Sequence, residues 1–460
     1  MSDIGAKGDG NVETSELPIA VSAPGKVILH GEHSVVYGKL AVAGSLDLRT
    51  AVRLIENDAR DAFDVESATL GVDVRFDSKS IKSLLETPLP LLVDSNDYNY
   101  WDIPNLLDHD RLLDRIDDFL DKSNVRLSHS SQMTCIRAVL YLCAGILSSA
   151  RAQFGRESVR LVVTTDLTTG AGMGSSASFS VSVAAAFLKY LKRLNPPNKD
   201  SPNDDLVGDR PKQSQGSKES QASKESEGFS AEASQASKGS KGSSGFSAKE
   251  LEFISRWAFN AERIAHGAPS GLDNTACTYG SLIEFRRGAA PALVGAARPL
   301  DLDLLLIDTK VARQTKKMVE VAARTRRMFP KIFDNVLDTI ELVTSKALEL
   351  YGELSNVPAG ADPEEIRTIY SKLSVLFGLN QGLLNSLGVG HARLDEAIGI
   401  LDGAGLKGKL TGAGGGGYAI CLVPPRMEAK ALEEVMGTLE ARGFDVIRTC
   451  LGGDGVRVEC

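Results

Sequence analysis

The sequence predicts a fold that mixes α-helices and β-strands in more than one domain. Three glycine-rich segments lie far apart in the chain, and each sits at the edge between regular elements. With 460 residues, of which 42% are hydrophobic, the chain can bury a large core and is long enough for two or three domains. The three segments begin at Ser22, Thr168 and Lys409.

The first segment, SAPGKVILHGEHSVVYG, predicts a strand at KVILH, and the partly alternating stretch LAVAGSLDLRTAVRLI predicts another. It groups Lys26, His30, Glu32 and His33, a set that would suit a metal site. Strand residues alternate faces, however, so the two histidines would point apart, and the spacing is not that of a zinc helix motif. Lys26 is better placed to hold charge near a buried site, with a plain surface lysine as the alternative.

The second segment predicts a strand at VRLVVTTD, a glycine loop at TTGAGMG, and a long helix at SSASFSVSVAAAFLKYLKRL. Backbone N–H groups at the start of a helix face the preceding loop and suit phosphate oxygens. The loop is not a Walker A motif, because two serines replace its Lys-Ser/Thr pair, so the ammonium group must come from elsewhere. The alternative is a glycine turn with Ser175 as a helix cap.

The third segment contains the pattern GxGxxG at Gly412, Gly414 and Gly417. Its glycines precede the strand YAICLV, which ends at Pro424 and Pro425, whereas a dinucleotide fingerprint follows a strand and opens a helix. A packed glycine loop that lets the backbone approach a helix and a ligand is the better prediction.

Residues 195–248 are rich in Ser, Lys, Glu, Gln and Gly with imperfect repeats, and this composition predicts a disordered insertion. A tolerated surface insertion is favoured over a regulatory or docking segment. Beyond it, LEFISRWAFNAERIAHG predicts a helix, PSGLDNTACTYG a polar turn and SLIEFRRG a strand. A new strand near Asp303 and a helical stretch over 315–352 place the start of a second domain near residue 300.

Composition argues against several other classes of function. The net charge of −8, with no long basic run, argues against nucleic-acid partners. Residues 1–17 are polar and predict a disordered tail, and the apolar window from Val139 is too short to span a bilayer and predicts a buried helix. Six cysteines without CxxC pairs predict free thiols in a reducing compartment, so we expect a cytoplasmic protein without membrane contact.

Phosphoryl transfer needs a divalent cation with oxygen ligands, a carboxylate that orients the acceptor, and cations that neutralise developing charge. Glu262, in the predicted helix, and Asp273, in the predicted turn, are the carboxylate candidates. The alternative for Asp273 is an Asx cap, which is common in such turns.

Taken together, these residues resemble the GHMP kinase superfamily and, within it, the mevalonate kinase family. The resemblance extends from about Leu17 to the C-terminus apart from the insertion. It rests on the three glycine segments in order and on the more specific blocks APGKVILHGEHSVVYG, AERIAHGAPSGLDN, DTKVARQT and LNQGLLNSLGVGHARLD. Small departures from the family wording fall at Met173, Ala268, Leu272 and Ala312, and none removes a chemical group.

The resemblance implies an α+β fold in two lobes with ATP and substrate between them. Residues 18–300 would form an N-terminal domain like domain 2 of ribosomal protein S5, and residues 301–460 a ferredoxin-like C-terminal domain. The implied reaction is transfer of the ATP γ-phosphoryl to the primary hydroxyl of (R)-mevalonate, in isoprenoid and sterol synthesis. The family also implies Mg²⁺, a homodimer and feedback inhibition by prenyl diphosphates.

The resemblance also implies roles for individual residues. Asp273 would be the catalytic carboxylate and Lys26 its partner, which also contacts ATP, while Ser176 and Glu262 would bind magnesium. The other implied ATP contacts are Gly170, Ala171, Gly172, Met173, Gly174, Ser175 and Ser176. Glu32, His33 and Thr309 would line the substrate pocket, and Gly412, Ala413, Gly414 and Gly415 would form the glycine loop beside it.

Two rival hypotheses stay open at this point. One is another enzyme of the superfamily, such as a phosphomevalonate kinase or a decarboxylase relative; the HGEH wording around His33 favours mevalonate. The other is a non-catalytic member that binds a nucleotide or metabolite as a sensor. The four groups Lys26, Ser176, Glu262 and Asp273 are all present, which favours an enzyme.

Overall fold

A computed structural model describes residues 17–459, apart from 60, 94–97, 124, 149–157, 169, 171, 196–244, 268, 290, 295–299, 314 and 359. Residues 1–16 and 196–244, nearly all of the predicted tail and insertion, lie outside the described residues. The strands are β1 (Ile19–His30), β2 (Ala41–Glu56), β3 (Ala62–Ser67), β4 (Val72–Asp77), β5 (Val159–Thr165), β6 (Leu282–Phe285), β7 (Ala292–Val294), β8 (Leu302–Asp308), β9 (Gly408–Leu410), β10 (Tyr418–Leu422), β11 (Asp445–Leu451) and β12 (Arg457–Val458).

The helices are α1 (Ser78–Glu86), α2 (Ile103–Leu106), α3 (His109–Lys122), α4 (Ser130–Leu147), α5 (Ser175–Leu194), α6 (Ala248–His266), α7 (Leu272–Tyr279), α8 (Thr315–Met328), α9 (Pro330–Asn356), α10 (Pro363–Ser386), α11 (Ala392–Gly403) and α12 (Ala429–Ala441). One prediction from sequence was wrong: the turn around Asp273 is the helix α7. The helical stretch predicted over 315–352 is confirmed, and it consists of two helices that meet at Phe329, because Pro330 starts a new helix rather than continuing the old one.

The strands form one mixed sheet in which β2 is the longest and central element. The order along the main path is β4-β3-β5-β2-β11-β8-β10-β9. β1 pairs antiparallel with β2 over most of its length, and the register shifts at Pro24/Lys26 and again at Ile28/His30. The first shift accommodates a proline inside a strand, since proline cannot donate to the ladder. Lys26 therefore lies at a bulge, where its side chain can be redirected.

In the first lobe α5 packs against β1 and β2, and α4 and α6 pack against α5. Small residues let α5 lie close to the strands, and the hydroxyls of Ser178 and Ser182 donate to the Ala23 and Thr50 carbonyls at 2.8 and 2.9 Å. Among the described residues, α4 is the one helix long and apolar enough to cross a membrane, and 72% of it is buried inside the protein. Its burial agrees with the predicted core helix at Val139.

The second lobe contains β8 to β11 with α8 to α12 packed on them, but the end of the chain returns to the first lobe. β12 pairs with β1, and the buried guanidinium of Arg49 donates to the carbonyls of Ser22, Asp454 and Gly455 at 3.0, 3.1 and 2.6 Å. The predicted division at residue 300 stays a prediction, and the last strand belongs in space with the first.

We expect Arg49→Met to lower the free energy of unfolding by about 2 to 3 kcal/mol, because it leaves buried carbonyls without their charged donor. The matched control is Arg53→Met, which removes an exposed side chain from the same strand and should change stability by less than about 0.5 kcal/mol. Urea unfolding of both variants measures the difference. Equal losses of unfolding free energy in the two variants would show that the hydrogen bonds from Arg49 to the C-terminal segment do not stabilise the fold.

Candidate active site

The second glycine segment forms a loop between β5 and α5. Gly170, Gly172 and Gly174 have φ of 74°, 84° and 68°, the left-handed region that favours glycine, and Ala171 lies outside the described residues. Gly174 is the N-cap of α5 and no side chain caps this end, so the alternative of Ser175 as a cap was wrong. Ser175 and Ser176 are the first two helical residues, and the free N–H groups of this turn point into the loop.

Strand β1 holds this loop in place. The Lys26 backbone N–H donates to the Met173 carbonyl at 2.8 Å, and the Met173 side chain is fully buried. A Cβ on Gly174 would lie 2.9 Å from Cγ of Lys26, so the loop backbone passes directly over the lysine stem. The loop is therefore both hydrogen-bonded to Lys26 and packed against its side chain.

Lys26 and Asp273 form an ion pair beside the loop. The distance from Lys26 Nζ to Asp273 Oδ2 is 3.1 Å, and the lysine side chain is 6% exposed while the aspartate is 38% exposed. Asp273 lies in the first turn of α7, where the positive end of the helix favours a carboxylate. The N-cap is Gly271 with no side-chain cap bond, so Asp273 is not an Asx cap. Its carboxylate is thus held by Lys26 and still reaches the cleft.

Ser176 and Glu262 meet close enough to this pair for both of its charges to act on Glu262. The Ser176 hydroxyl donates to Glu262, whose side chain is 3% exposed, and His266 Nε2 lies 3.7 Å from the other oxygen. Burial, together with the charge of Asp273, raises the pKa of Glu262 to about 7, although Ser176 and Lys26 act in the opposite direction. A buried carboxylate and a hydroxyl are oxygen donors of the kind that Mg²⁺ prefers.

A magnesium site fits these residues as a partial protein site. Among the described residues, no group of three or more His, Cys, Asp or Glu side chains is arranged to hold a metal ion. Mg²⁺ usually keeps several waters and takes one or two carboxylates plus substrate phosphates. Ser176 and Glu262 would then supply the protein's share of its ligands.

Glu32 and His33 follow β1 after Gly31 and lie at the junction of the two lobes. His33 has a φ of 59°, and its Nε2 is 2.8 Å from the Ala413 carbonyl of the third glycine segment. Burial lowers the pKa of the His33 imidazole. His30 points elsewhere, towards the rings of Tyr351 and Phe377. His33 is therefore neutral and fixed at the edge of the third loop.

The Glu32 carboxylate is fully buried, with both oxygens bound inside the protein. One pairs with the equally buried ammonium of Lys409, and the other accepts from Asn380 Nδ2 at 2.9 Å. Lys409 also donates to the Leu410 carbonyl at 2.7 Å. Glu32 thus connects the end of β1 to the strand that leads into the third glycine loop. Its predicted contact with substrate stays a prediction, and the observed contacts are those of a residue that positions its neighbours.

The third glycine loop packs tightly under Thr309. The Thr309 N–H and hydroxyl both donate to the Gly417 carbonyl, at 3.0 and 2.7 Å. Gly412, Gly414 and Gly415 all have positive φ, and a Cβ on Gly414 would lie 2.1 Å from the Val389 carbonyl. Thr309 is 2% exposed and its hydroxyl is used in this contact with the loop, so its predicted contact with substrate stays a prediction.

Sequence reasoning missed Arg313, which lies between the two glycine loops. A Cβ on Gly172 would lie 1.3 Å from Arg313 Nη1, and a Cβ on Gly412 would lie 3.0 Å from Nη2. Burial lowers the pKa of Arg313, while the charge of Asp273 raises it. The buried Nε has no hydrogen-bond partner within the described part of the chain. The signal was present in the block DTKVARQT, but only the contact with Gly172 shows which basic residue reaches the cleft.

The cleft therefore combines two cations, two carboxylates and a helix N-terminus around a glycine loop. This arrangement can hold phosphate groups and place a carboxylate beside an acceptor hydroxyl. Models of the GHMP kinases N terminal domain and the GHMP kinases C terminal domain match residues 136–204 and 364–439. Mevalonate kinases of Bos taurus and Homo sapiens are 34% and 33% identical to this chain over 96% of its length and 94% of theirs. The chain belongs to the mevalonate kinase family.

Solved structures of the family have the same fold. The match to the Methanococcus jannaschii mevalonate kinase covers 97% of this chain and 100% of that structure, with a TM-score of 0.59 and 17% sequence identity. The match to the L. major mevalonate kinase in complex with R-mevalonate covers 96% of this chain and 97% of that structure, with a TM-score of 0.57 and 18% sequence identity. The predicted α+β fold of the GHMP kinases is thereby confirmed.

The buried pair of Glu32 and Lys409 leads to a prediction about stability. Glu32→Gln or Lys409→Met alone leaves one buried charge unpaired and should cost about 3 to 5 kcal/mol in the free energy of unfolding, while the double variant should cost clearly less than the sum. Urea unfolding of the three variants completes the cycle.

The control cycle uses the exposed pair of Lys407 and Asp402, 2.9 Å apart, with the variants Lys407→Met and Asp402→Asn. Its coupling should stay below about 1 kcal/mol. Strict additivity of the Glu32 and Lys409 losses would mean that the buried charges do not depend on each other.

Proposed function

We propose that this protein transfers the γ-phosphoryl group of ATP to the primary hydroxyl of (R)-mevalonate, giving 5-phosphomevalonate and ADP. The observation that carries the proposal is the pair of Lys26 Nζ and Asp273 Oδ2, 3.1 Å apart beside the phosphate loop, in a chain of the mevalonate kinase family. An enzyme of this kind needs a carboxylate for the acceptor proton and a cation for the transferred charge, and both groups are present.

The phosphate end of the reaction is assigned to the loop over 170–176, Lys26 and Arg313. Backbone N–H groups at the start of α5 bind phosphate oxygens, and the two cations neutralise the negative charge that spreads over the transferred group. Arg313 contacts the loop at Gly172, so we assign its guanidinium to the phosphoryl group rather than to the mevalonate carboxylate.

The acceptor end is assigned to Asp273 and His33. As the hydroxyl oxygen bonds to phosphorus, its proton passes to the Asp273 carboxylate, while the bond from phosphorus to the bridging oxygen breaks and its electron pair leaves with ADP. Lys26 keeps the carboxylate oriented through the 3.1 Å contact. His33 is neutral, so it acts as a hydrogen-bonding wall of the pocket rather than as a charge.

Ser176 and Glu262 are proposed to hold Mg²⁺ together with the nucleotide. When bound, the ion neutralises charge on the phosphates and screens Glu262 from Asp273. The high pKa of Glu262, about 7, marks a carboxylate that needs a nearby cation to stay ionised at neutral pH.

The family resemblance also motivates proposals for assembly, regulation and location. We propose a homodimer, inhibition by prenyl diphosphates at the ATP site, and a cytoplasmic location. Light scattering on the eluted protein would contradict the dimer if it gave the mass of one chain at micromolar concentration. Prenyl diphosphate inhibition must be competitive with ATP if it occurs at that site.

The test of the proposed function is an ATP-consumption assay with (R)-mevalonate on the wild type and on Asp273→Asn. We expect mevalonate-dependent turnover in the wild type and a kcat about 10² to 10⁴ lower in the variant, because the proton acceptor is lost. Asp445→Asn, at an exposed site paired with Lys310, is the control and should keep full activity.

Phosphomevalonate, homoserine and galactose serve as competing acceptors in the same assay. Turnover with one of these and not with mevalonate would keep the kinase and discard the substrate. No turnover with any acceptor would favour the hypothesis of a non-catalytic binding protein.

Arg313 gives a separate prediction. Arg313→Met should lower kcat by about 10² to 10³ with the KM for mevalonate changed less than about threefold, because the guanidinium acts on charge that develops in the transition state. Arg313→Lys should recover part of the rate. A large rise in the KM for mevalonate at constant kcat would instead place Arg313 on the acceptor carboxylate.

A further inference from the structure

A short turn connects the acceptor end of the cleft to β2. It is a 3-10 turn, Ser34–Tyr37, that begins immediately after His33 and ends at Gly38 with a φ of 79°. Its internal hydrogen bonds run from Val36 N–H to the His33 carbonyl and from Lys39 N–H to the Ser34 carbonyl, at 3.1 and 3.2 Å. The turn is therefore ordered by its own hydrogen bonds, and its position depends on the contacts at its two ends.

Glu341, on α9 of the second lobe, binds the far end of this turn. Its carboxylate lies 3.0 Å from Lys39 Nζ and accepts from the Leu40 N–H at 3.4 Å. Arg286, which follows β6, bridges the two partners: its Nη1 is 2.7 Å from Glu341 and donates to the Gly38 carbonyl at 3.0 Å. One carboxylate thus holds the chain that follows the turn, through Lys39 and Leu40 directly and through Arg286 at Gly38.

Tyr37 and Lys39 make further contacts with the second lobe at the same end of the turn. The Tyr37 ring packs edge-on against Phe333 of α9 at 5.5 Å between centroids, and the Arg326 guanidinium lies 4.9 Å from the Tyr37 ring. Lys39 also pairs with Asp338 at 2.6 Å. Burial acts to raise the pKa of Glu341, but the hydrogen bonds from Lys39 and Arg286 outweigh it and hold that pKa below its ordinary value.

We propose that Glu341 is a positioning residue for the acceptor site, because it anchors the turn Ser34–Tyr37 and thereby sets the position of His33. The inference rests on the proposed function, which assigns His33 to the mevalonate pocket. His33 is held on one side by the Ala413 carbonyl, 2.8 Å from its ring, and on the other by the turn that Glu341 anchors. The partners of Glu341 are Lys39, Leu40 and Arg286, and the proposed function assigns none of them to either substrate.

The anchor affects one end of the cleft only. The phosphate loop is fixed separately, by the hydrogen bond from Lys26 N–H to the Met173 carbonyl. Losing the anchor should therefore weaken the binding of mevalonate while ATP binding and the chemical step stay nearly unchanged. A purely structural role would instead lower stability without separating the two substrates.

The experiment compares Glu341→Gln and Glu341→Ala with Glu349→Gln as the control. The Gln variant keeps an acceptor for the Leu40 N–H and removes only the charge, whereas the Ala variant removes both. Glu349 is on the same helix, is 60% exposed and pairs with Lys346 at 2.5 Å, away from the turn. For each protein, kcat and both KM values are measured, together with hydrogen–deuterium exchange of the peptide that covers residues 34–40 and the melting temperature.

We expect the KM for mevalonate to rise about three- to tenfold in Glu341→Gln and further in Glu341→Ala, a size set by the modest strength of partly exposed ion pairs. The KM for ATP and kcat should stay within about twofold of the wild type. Exchange in residues 34–40 should be faster in both variants, and Glu349→Gln should match the wild type throughout.

Faster exchange with an unchanged KM for mevalonate would overturn the proposal, since the turn would be anchored without positioning the pocket. Unchanged exchange would overturn it because Glu341 would not be the anchor, and so would equal changes in both KM values. A wild type that does not phosphorylate mevalonate would overturn the proposed function and the acceptor role of Glu341 with it. In that case faster exchange would leave Glu341 as a structural anchor only.

Discussion

The site depends on strand β1, whose backbone is bonded to two of the three glycine segments. The Lys26 N–H donates to Met173 in the phosphate loop, and the Ile28 N–H and carbonyl both bond to the Thr411 hydroxyl in the third segment, at 3.2 and 2.9 Å. Segments that lie hundreds of residues apart in sequence are thereby bonded to neighbouring positions of one strand. Lys26 lies at the bulge, and its ammonium group contacts the Gly172 carbonyl and the Asp273 carboxylate.

Charge in the cleft is arranged so that each buried group has an opposite charge or a helix end nearby. Lys26 is paired with Asp273, and Asp273 lies in the first turn of α7. Glu262 is the exception, because its burial and the charge of Asp273 raise its pKa to about 7 although Ser176 and Lys26 act in the opposite direction. A cation delivered with the nucleotide would correct the imbalance, which links the electrostatics of the protein to the chemistry of its substrate.

Residues outside the cleft determine its shape through contacts between the two lobes. Glu32 and Lys409 connect the lobes through a fully buried ion pair, and Glu341 connects them at the surface through Lys39 and Arg286. The first pair adjoins His33 in sequence and the second lies at the end of the turn that follows it, and His33 itself has an unusual backbone conformation with a φ of 59°. A strained residue of this kind persists only where the surrounding structure holds it, and His33 is bonded through its ring to the Ala413 carbonyl and through its own carbonyl to the Val36 N–H.

The sequence by itself determined what depends on short stretches of chain. The phosphate loop between β5 and α5 follows from local glycine and hydrophobic patterns, and Lys26, Glu262 and Asp273 were found because they lie within recognisable motifs. The helix at Asp273 was missed, since polar turn residues and the first turn of a short helix have the same composition.

Only the tertiary structure decided which distant residues meet. The contact of Arg313 with Gly172, the burial of Glu32 against Lys409, and the return of β12 to β1 join residues 141, 377 and about 437 positions apart. No periodicity or composition encodes such pairs, because they arise from packing two lobes against each other. The chemistry of this site was therefore readable from sequence, while its geometry and support came from long-range contacts.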